Sequence, residues 1–246
     1  MTHELVVVLA AVSIAYLVKS IAGMGGPLLA IPIIAASTSV EHAVVVVSFA
    51  NLVTNFYLVW EHRAAWSESR WLLIPLIVSG TVGTIIGSWL LTELDDRILS
   101  LVLALLVVAY IIRYLTAPDF ELPRKLGRRL AAPVGLAGGL MTGGTGSGGP
   151  LYATFLHALR LDRAGFVFTI SLLFAIFGPI QMVVLASLGS FTDTRVSQGL
   201  LALIPLAVVI PLGVVFSRRL RQRLFEWVVL SLLGFSAIRL LLNALS

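Results

Sequence analysis

The chain has 246 residues, 59% of them hydrophobic and 12% charged, with a mean hydropathy of +1.02. A soluble domain carries about twice that charge on its surface, so a water-soluble fold is excluded and an integral membrane protein is indicated. The formal charge of +5 sits in short loops between apolar runs, which assigns it to orientation in the bilayer rather than to nucleic acid, and the absence of cysteine excludes disulfides, thiolate metal sites and thiol nucleophiles.

Apolar runs of helix length follow one another along the chain, without the period-2 alternation of barrel strands. The first, over about 5–36, contains Lys19 and is interrupted by Gly23, Gly25 and Gly26 just before Pro27. Its beginning lacks the basic leader of a signal peptide and is read as retained. Uninterrupted runs are expected at about 42–60, 71–91 and 97–115. A basic stretch precedes a second interrupted run at about 131–159, which holds "GGTGSGGP" at 143–150, and runs at about 165–188, 199–216 and 225–245 complete the chain.

The order of these runs is a duplication. A shift of 123 residues places Gly25, Gly26, Pro27 and Leu28 on Gly148, Gly149, Pro150 and Leu151, and Ser48 on Ser171. A shift of 130 places Ile74, Pro75 and Leu76 on Ile204, Pro205 and Leu206, and Gly83 on Gly213. The expected organisation is one all-α membrane domain over 1–246, with repeat 1 at 1–117, a basic linker at 118–130 and repeat 2 at 131–246. Each repeat is a Gly-broken helical hairpin, re-entrant or interrupted, followed by three transmembrane helices.

Loop charge discriminates between the two forms of the hairpin, because cytoplasmic loops collect Lys and Arg. If the broken segments cross fully, the loop cations divide 8 against 7; if they turn back on one face, they divide 13 against 2, with Arg97 and Arg195 alone on the face of the termini. The second division favours re-entrant hairpins, a cytoplasmic linker at 116–130, termini on the outer face, and a multi-pass protein of the cell inner membrane. Three crossings per repeat make the repeats inverted, the organisation of many secondary transporters. A scaffold or anchor has no need of two matching glycine breaks.

The glycines carry the chemistry. Read as text, 144–149 satisfies a dinucleotide-binding pattern, but an apolar helical hairpin lacks the strand, the following acidic residue and any Walker lysine. A chain that turns inside the membrane must aim its backbone groups at protein or at a wet cavity, and glycine permits both the turn and a close approach. Pro27 and Pro150 then open the following helices as start or hinge positions, where a missing N–H costs nothing. Each hairpin so presents a helix N-terminus, a ready anion site, near Gly23, Gly25 and Gly26 and near Gly146, Gly148 and Gly149. Two such ends, one from each face, would converge on one anion near the midplane, with Thr145 and Ser147 adding hydroxyls and Lys19 a cation. The bland alternatives are close helix packing for the glycines and a snorkelling or carbonyl-paired Lys19.

A second polar group, Ser48, Asn51 and Asn55, occupies one helical face, with Ser171 the counterpart of Ser48 in repeat 2 and Gln181 a further mid-helix amide. These residues either line the path or cap the hairpin turn. Catalysis is not expected: Ser147 lacks a nearby base, His157 lies ten residues on, and no H-E-x-x-H occurs. No metal and no cofactor are called for. Intramembrane carboxylates are scarce, Glu41 beside His42 being the one candidate for proton coupling, so potential-driven or channel-like anion movement stays open. The partners expected are a small anion and the bilayer, with homodimer formation left open.

Two repeats broken at "AGMGGPLLAIP" and "GGLMTGGTGSGGPLYATF", around a basic linker, resemble the TauE/SafE family of sulfite exporters over nearly the whole chain. The resemblance implies secondary transport of small anions such as sulfite or organosulfonates, with thiosulfate and carboxylates as alternatives. The matching motif positions are Gly23, Gly25, Gly26 and Pro27, and Gly144, Gly146, Gly148, Gly149 and Pro150. The family's glycine runs are usually longer; here Pro27 and Pro150 cut them short.

Overall fold

A chain in lipid must satisfy its backbone hydrogen bonds within itself, and every regular element among the described residues is helical. The computed structural model describes residues 2–22, 25–116 and 121–217, together with Gly234, Ile238 and Leu242. The helices are α1 (Thr2–Ala22), α2 (Gly26–Ala35), α3 (Val40–Glu61), α4 (Trp66–Glu93), α5 (Asp96–Thr116), α6 (Arg124–Thr145), α7 (Gly149–Ala158), α8 (Arg163–Ser187), α9 (Asp193–Leu201) and α10 (Leu203–Ser217). A short 3₁₀ turn, Arg63–Ala65, joins α3 to α4. The helix expected over 225–245 lies outside the described residues apart from Gly234, Ile238 and Leu242, which are helical.

Among the described residues, five stretches are long and apolar enough to cross a membrane: His3–Ser20, Val40–Glu61, Ser69–Glu93, Arg163–Ser187 and Asp193–Leu212. Large apolar side chains such as Ile74, Val78, Val82 and Val183 are exposed along them, as a lipid-facing surface requires. On α4 the exposed Trp66 and Trp89 stand about 35 Å apart at 1.5 Å per residue, the separation of two interfacial aromatic belts across a bilayer.

Local chemistry sets the helix starts. Val40 at the head of α3 donates its N–H to Asp96 Oδ1 at 2.8 Å, and Ser39 Oγ accepts from the His42 N–H at 3.1 Å. Asp162 caps α8 by accepting from the Gly165 N–H at 2.6 Å. The stretch Arg124–Leu130, expected to belong to a linker, forms the first turns of α6.

The chain divides into two compact units that do not follow the two sequence halves. Unit 1 comprises Met1–Ala50, Leu94–Thr116 and Gly189–Ser246; unit 2 comprises Asn51–Glu93 and Ala117–Leu188. Each unit therefore draws on both halves, and each contains one glycine-broken hairpin. In unit 1, α1 packs on α2 and α10. In unit 2, α4 packs on α6 and α8.

The α4–α6 packing is set by absent side chains. A Cβ built on Gly83 would lie 2.8 Å from Leu140 N, and one on Gly139 would lie 2.9 Å from Gly80 Cα. Backbone meets backbone along this seam, the arrangement by which small residues draw membrane helices together.

Candidate functional site: two glycine-broken hairpins

The hairpins share a plan. A long helix ends in a glycine turn, and a ten-residue helix beginning Gly-Pro follows: α2 over Gly26–Ala35 and α7 over Gly149–Ala158. Both bounds agree with the shift read from sequence, since 149 − 26 and 158 − 35 each equal 123. Pro27 and Pro150 occupy the first turn in each case, and neither helix has a side-chain cap at its N-terminus. A first turn without a cap leaves backbone N–H donors for another acceptor.

In unit 1 the turn runs through Gly25, whose φ of 101° lies in the region that side chains avoid. Among the described residues nothing lies within 4 Å of a Cβ placed there. Gly26 is buried, and a Cβ on it would meet Lys19 Cδ at 3.0 Å and the Tyr16 ring at 3.1 Å. The α2 N-terminus thus lies against the stem of Lys19, which is 6% exposed with Nζ 5.3 Å from the centre of the Tyr16 ring. Lys19 is the one charged side chain in the buried set of the described residues. Gly23 lies outside the described residues.

In unit 2 the hairpin returns to where it began. Leu122, just before α6, donates its N–H to Ala158 O at the end of α7 at 2.7 Å, and Glu121 pairs with Arg160. Between these ends Tyr152 of α7 donates its hydroxyl to Gly135 O of α6 at 3.1 Å and stacks on Phe177 of α8, ring centres 6.0 Å apart. At the tip, Gly146 has φ 66° and donates its N–H to Thr142 O at 2.8 Å, ending α6. Gln181 of α8 donates Nε2 to Thr142 O at 2.7 Å, an oxygen that also accepts from the Gly146 N–H, and to Gly143 O at 3.0 Å, so it holds two carbonyls of the last turn of α6.

The individual glycines have different tasks. Gly148 is needed for packing, because a Cβ there would run into the Thr142 hydroxyl and the Gly138 carbonyl. Gly149 is open by comparison, with the Phe174 ring at 3.8 Å. Gly144 is buried and lies near Gly87 O, 3.5 Å from its own Cβ position.

The hydroxyls expected beside the turn also divide. Thr145 donates to Met141 O at 2.8 Å, so its proton serves its own helix. Ser147 is 2% exposed and its Oγ has no hydrogen-bond partner. Asn55 donates Nδ2 to Asn51 O at 2.8 Å and to Asn51 Oδ1 at 2.7 Å, and Ser48 donates to Val45 O at 2.6 Å. Ser171 is buried on α8.

Glu41 holds Arg195 in a two-point ion pair, at 2.7 and 2.9 Å, and His42 Nε2 lies 2.8 Å from Gln198 Oε1. A carboxylate engaged in this way is a fastener between α3 and α9 more than a free proton carrier. Sequence reading passed over Thr84 and Ser88 of α4, which lie inside an uninterrupted apolar run yet are fully buried beside the glycine turn. Among the described residues no group of three or more His, Asp or Glu side chains is placed to hold a metal.

Comparison with known proteins supplies one match. No curated protein and no solved structure matches the chain. The family model described as "Sulfite exporter TauE/SafE" matches residues 8–240, which spans both hairpins and both units. With its helical multi-pass architecture and its two glycine-broken hairpins, the chain belongs to the TauE/SafE sulfite exporter family.

Proposed function

We propose that this protein is a secondary transporter, working as an exporter, for small sulfur-containing anions such as sulfite or organosulfonates. The carrying observation is the pair of ten-residue Gly-Pro helices whose N-termini have no side-chain cap. A helix N-terminus carries about half a positive charge together with free N–H donors, enough to replace part of an anion's hydration shell. In unit 1 Gly25, Gly26 and Lys19 surround such an end; in unit 2 Gly146, Ser147, Gly148 and Gly149 do. Alternating access, with Pro27 and Pro150 as hinges, moves the anion across.

The driving force follows from charge. Glu41 is engaged by Arg195, and no carboxylate is in the buried set of the described residues. We therefore read transport as driven by the membrane potential, which favours anion export by about 2.3 kcal/mol per charge per 100 mV when the inside is negative. The same shortage of carboxylates favours a second reading, a channel-like pathway. The 13 to 2 division of loop cations supports an inner-membrane protein with residues 116–130 in the cytoplasm and both termini outside. Labelling of a Ser37→Cys variant from the outer face is the expected result; labelling from the cytoplasm alone overturns this orientation.

Proteoliposomes loaded with radiolabelled sulfite test the function. Efflux that saturates, responds to an imposed potential and accelerates when unlabelled sulfite is added outside supports the transporter. Unsaturable efflux without counter-exchange selects the channel. Absence of efflux for sulfite, thiosulfate, sulfonates and small carboxylates alike overturns both.

A further inference from the structure

Buried serine and threonine hydroxyls in helices ordinarily donate to a carbonyl one turn back. Thr142, Thr145 and Thr169 do so, at 2.7, 2.8 and 2.7 Å. Four hydroxyls of unit 2 have no hydrogen-bond partner: Ser69, Thr84 and Ser88 on α4, each 0% exposed, and Ser147 in the turn before α7, 2% exposed. Native interiors rarely leave such groups unserved, and where they do the group awaits a ligand, an ion or a water.

Ser69 stands apart in the first turn of α4, whereas the other three are gathered near the second glycine run. Thr84 and Ser88 are one turn apart on the same side of α4. The backbone between them lies against the start of the glycine run: a Cβ on Gly143 would come within 2.6 Å of Ser88 N and meet the Thr84 carbonyl, and one on Gly87 would lie 2.8 Å from Gly144 N. Ser147 follows on the same run, two residues before the uncapped N-terminus of α7. The glycines that let α4 and α6 touch also bring the backbone of Thr84 and Ser88 against the last turn of α6.

We propose that Thr84 and Ser88 are further anion-binding residues, which with Ser147 and the first N–H groups of α7 receive the oxygens of an SO₃ headgroup. This rests on the transporter reading above and deepens it. Among the described residues unit 2 buries no charged side chain, so recognition here is by neutral donors. Three hydroxyls supply one donor to each oxygen of sulfite or a sulfonate, whereas a carboxylate offers two acceptors and chloride none of that geometry. The site therefore prefers SO₃ headgroups to acetate and chloride.

The test uses the purified full-length protein in detergent, with sulfite, methanesulfonate, acetate and chloride as probes. The double variant Thr84→Val, Ser88→Ala is expected to lose at least tenfold in affinity for sulfite and methanesulfonate while its ligand-free melting point stays level or rises, because it removes unserved hydroxyls. Thr84→Ser, which keeps the hydroxyl, is expected to bind within threefold of the unaltered protein. A double variant that melts lower and binds normally overturns the proposal by showing the hydroxyls to be structural. One that melts and binds as before overturns it in favour of a resident water. If Ser147→Ala and Gly149→Val lose sulfite binding while the double variant keeps it, this proposal fails and the transporter reading stands. If the unaltered protein binds none of the SO₃ probes, both fail.

Discussion

The two hairpins have the same backbone plan and different surroundings. In unit 1 the turn at Gly25 is open and the neighbouring N-terminus lies against the stem of a buried lysine. In unit 2 the turn is packed backbone to backbone against α4, its carbonyls are held by Gln181, and its polar side chains are neutral. Both hairpins have the glycine turn, the Gly-Pro start and the ten-residue length that the backbone plan requires. The side chains around them differ, cationic in the first and neutral in the second. The lesson is that the main chain sets the form of such a helix end, and its polar surroundings are left to whichever helices pack beside it.

This contrast can be broken or sharpened by substitution. The largest effect is expected on the packed side. Gly139→Val inserts a side chain where the Gly80 carbonyl already lies, so loss of monodisperse protein on extraction is expected. Recovery of normally folded Gly139→Val would show that the α4–α6 seam is looser than described.

On the open side, Lys19→Met removes the buried cation and keeps its apolar stem. An approximately tenfold loss of sulfite affinity, about 1.4 kcal/mol, is expected by titration of the purified variant, with little change in melting point. Unchanged affinity would return Lys19 to a packing role beside Tyr16.

Gln181→Leu removes the two hydrogen bonds that hold the tip of the second hairpin, leaving Thr142 O with the Gly146 N–H alone and taking the side-chain donor from Gly143 O. A stability loss of about 1–3 kcal/mol is expected from denaturant titration, with no counterpart in the first hairpin. Gly25→Ala has the mildest expected effect. The site is roomy, and the cost is the positive φ alone, about 1–2 kcal/mol. A larger loss would mean that Gly25 is packed, and the contrast between the hairpins would shrink.

Much of this could be read before any coordinates. Pro27 and Pro150 mark helix starts because a residue without N–H is tolerated in the first turn. The ends of α8 fall close to the expected 165–188 because apolar length and a capping Asp162 are local signals. The start of α9 at Asp193 was not legible, since its first turns are polar and only the capping Thr192, which accepts from the Arg195 N–H at 3.4 Å, marks the start. Residues 124–130 read as linker because their charge hides a helix that begins outside the apolar run.

The candidate site was legible only in part. Gly25, Gly146, Ser147 and Gly149 stand at the turns as their spacing implied, and Lys19 is buried against Gly26. Thr145 and Asn55 look the same in sequence as any donor, but Thr145 donates to Met141 O and Asn55 Nδ2 to Asn51, each one turn back on its own helix. Gly80, Gly83 and Gly87 carried no message within α4, because close approach is a property of two helices and neither encodes it alone.

By itself, then, the amino-acid sequence determined a helical membrane protein with two glycine-broken hairpins of matched length, since hydropathy, glycine and proline act within a few turns of chain. Only the tertiary structure decided which glycines serve packing and which leave a helix end open. It also decided that each compact unit draws helices from both sequence halves, and that the backbone of Thr84 and Ser88 packs against Gly143 just before the second turn. Those outcomes depend on which helix lies beside which, and in lipid that choice is made by the fit of whole surfaces rather than by any single run of residues.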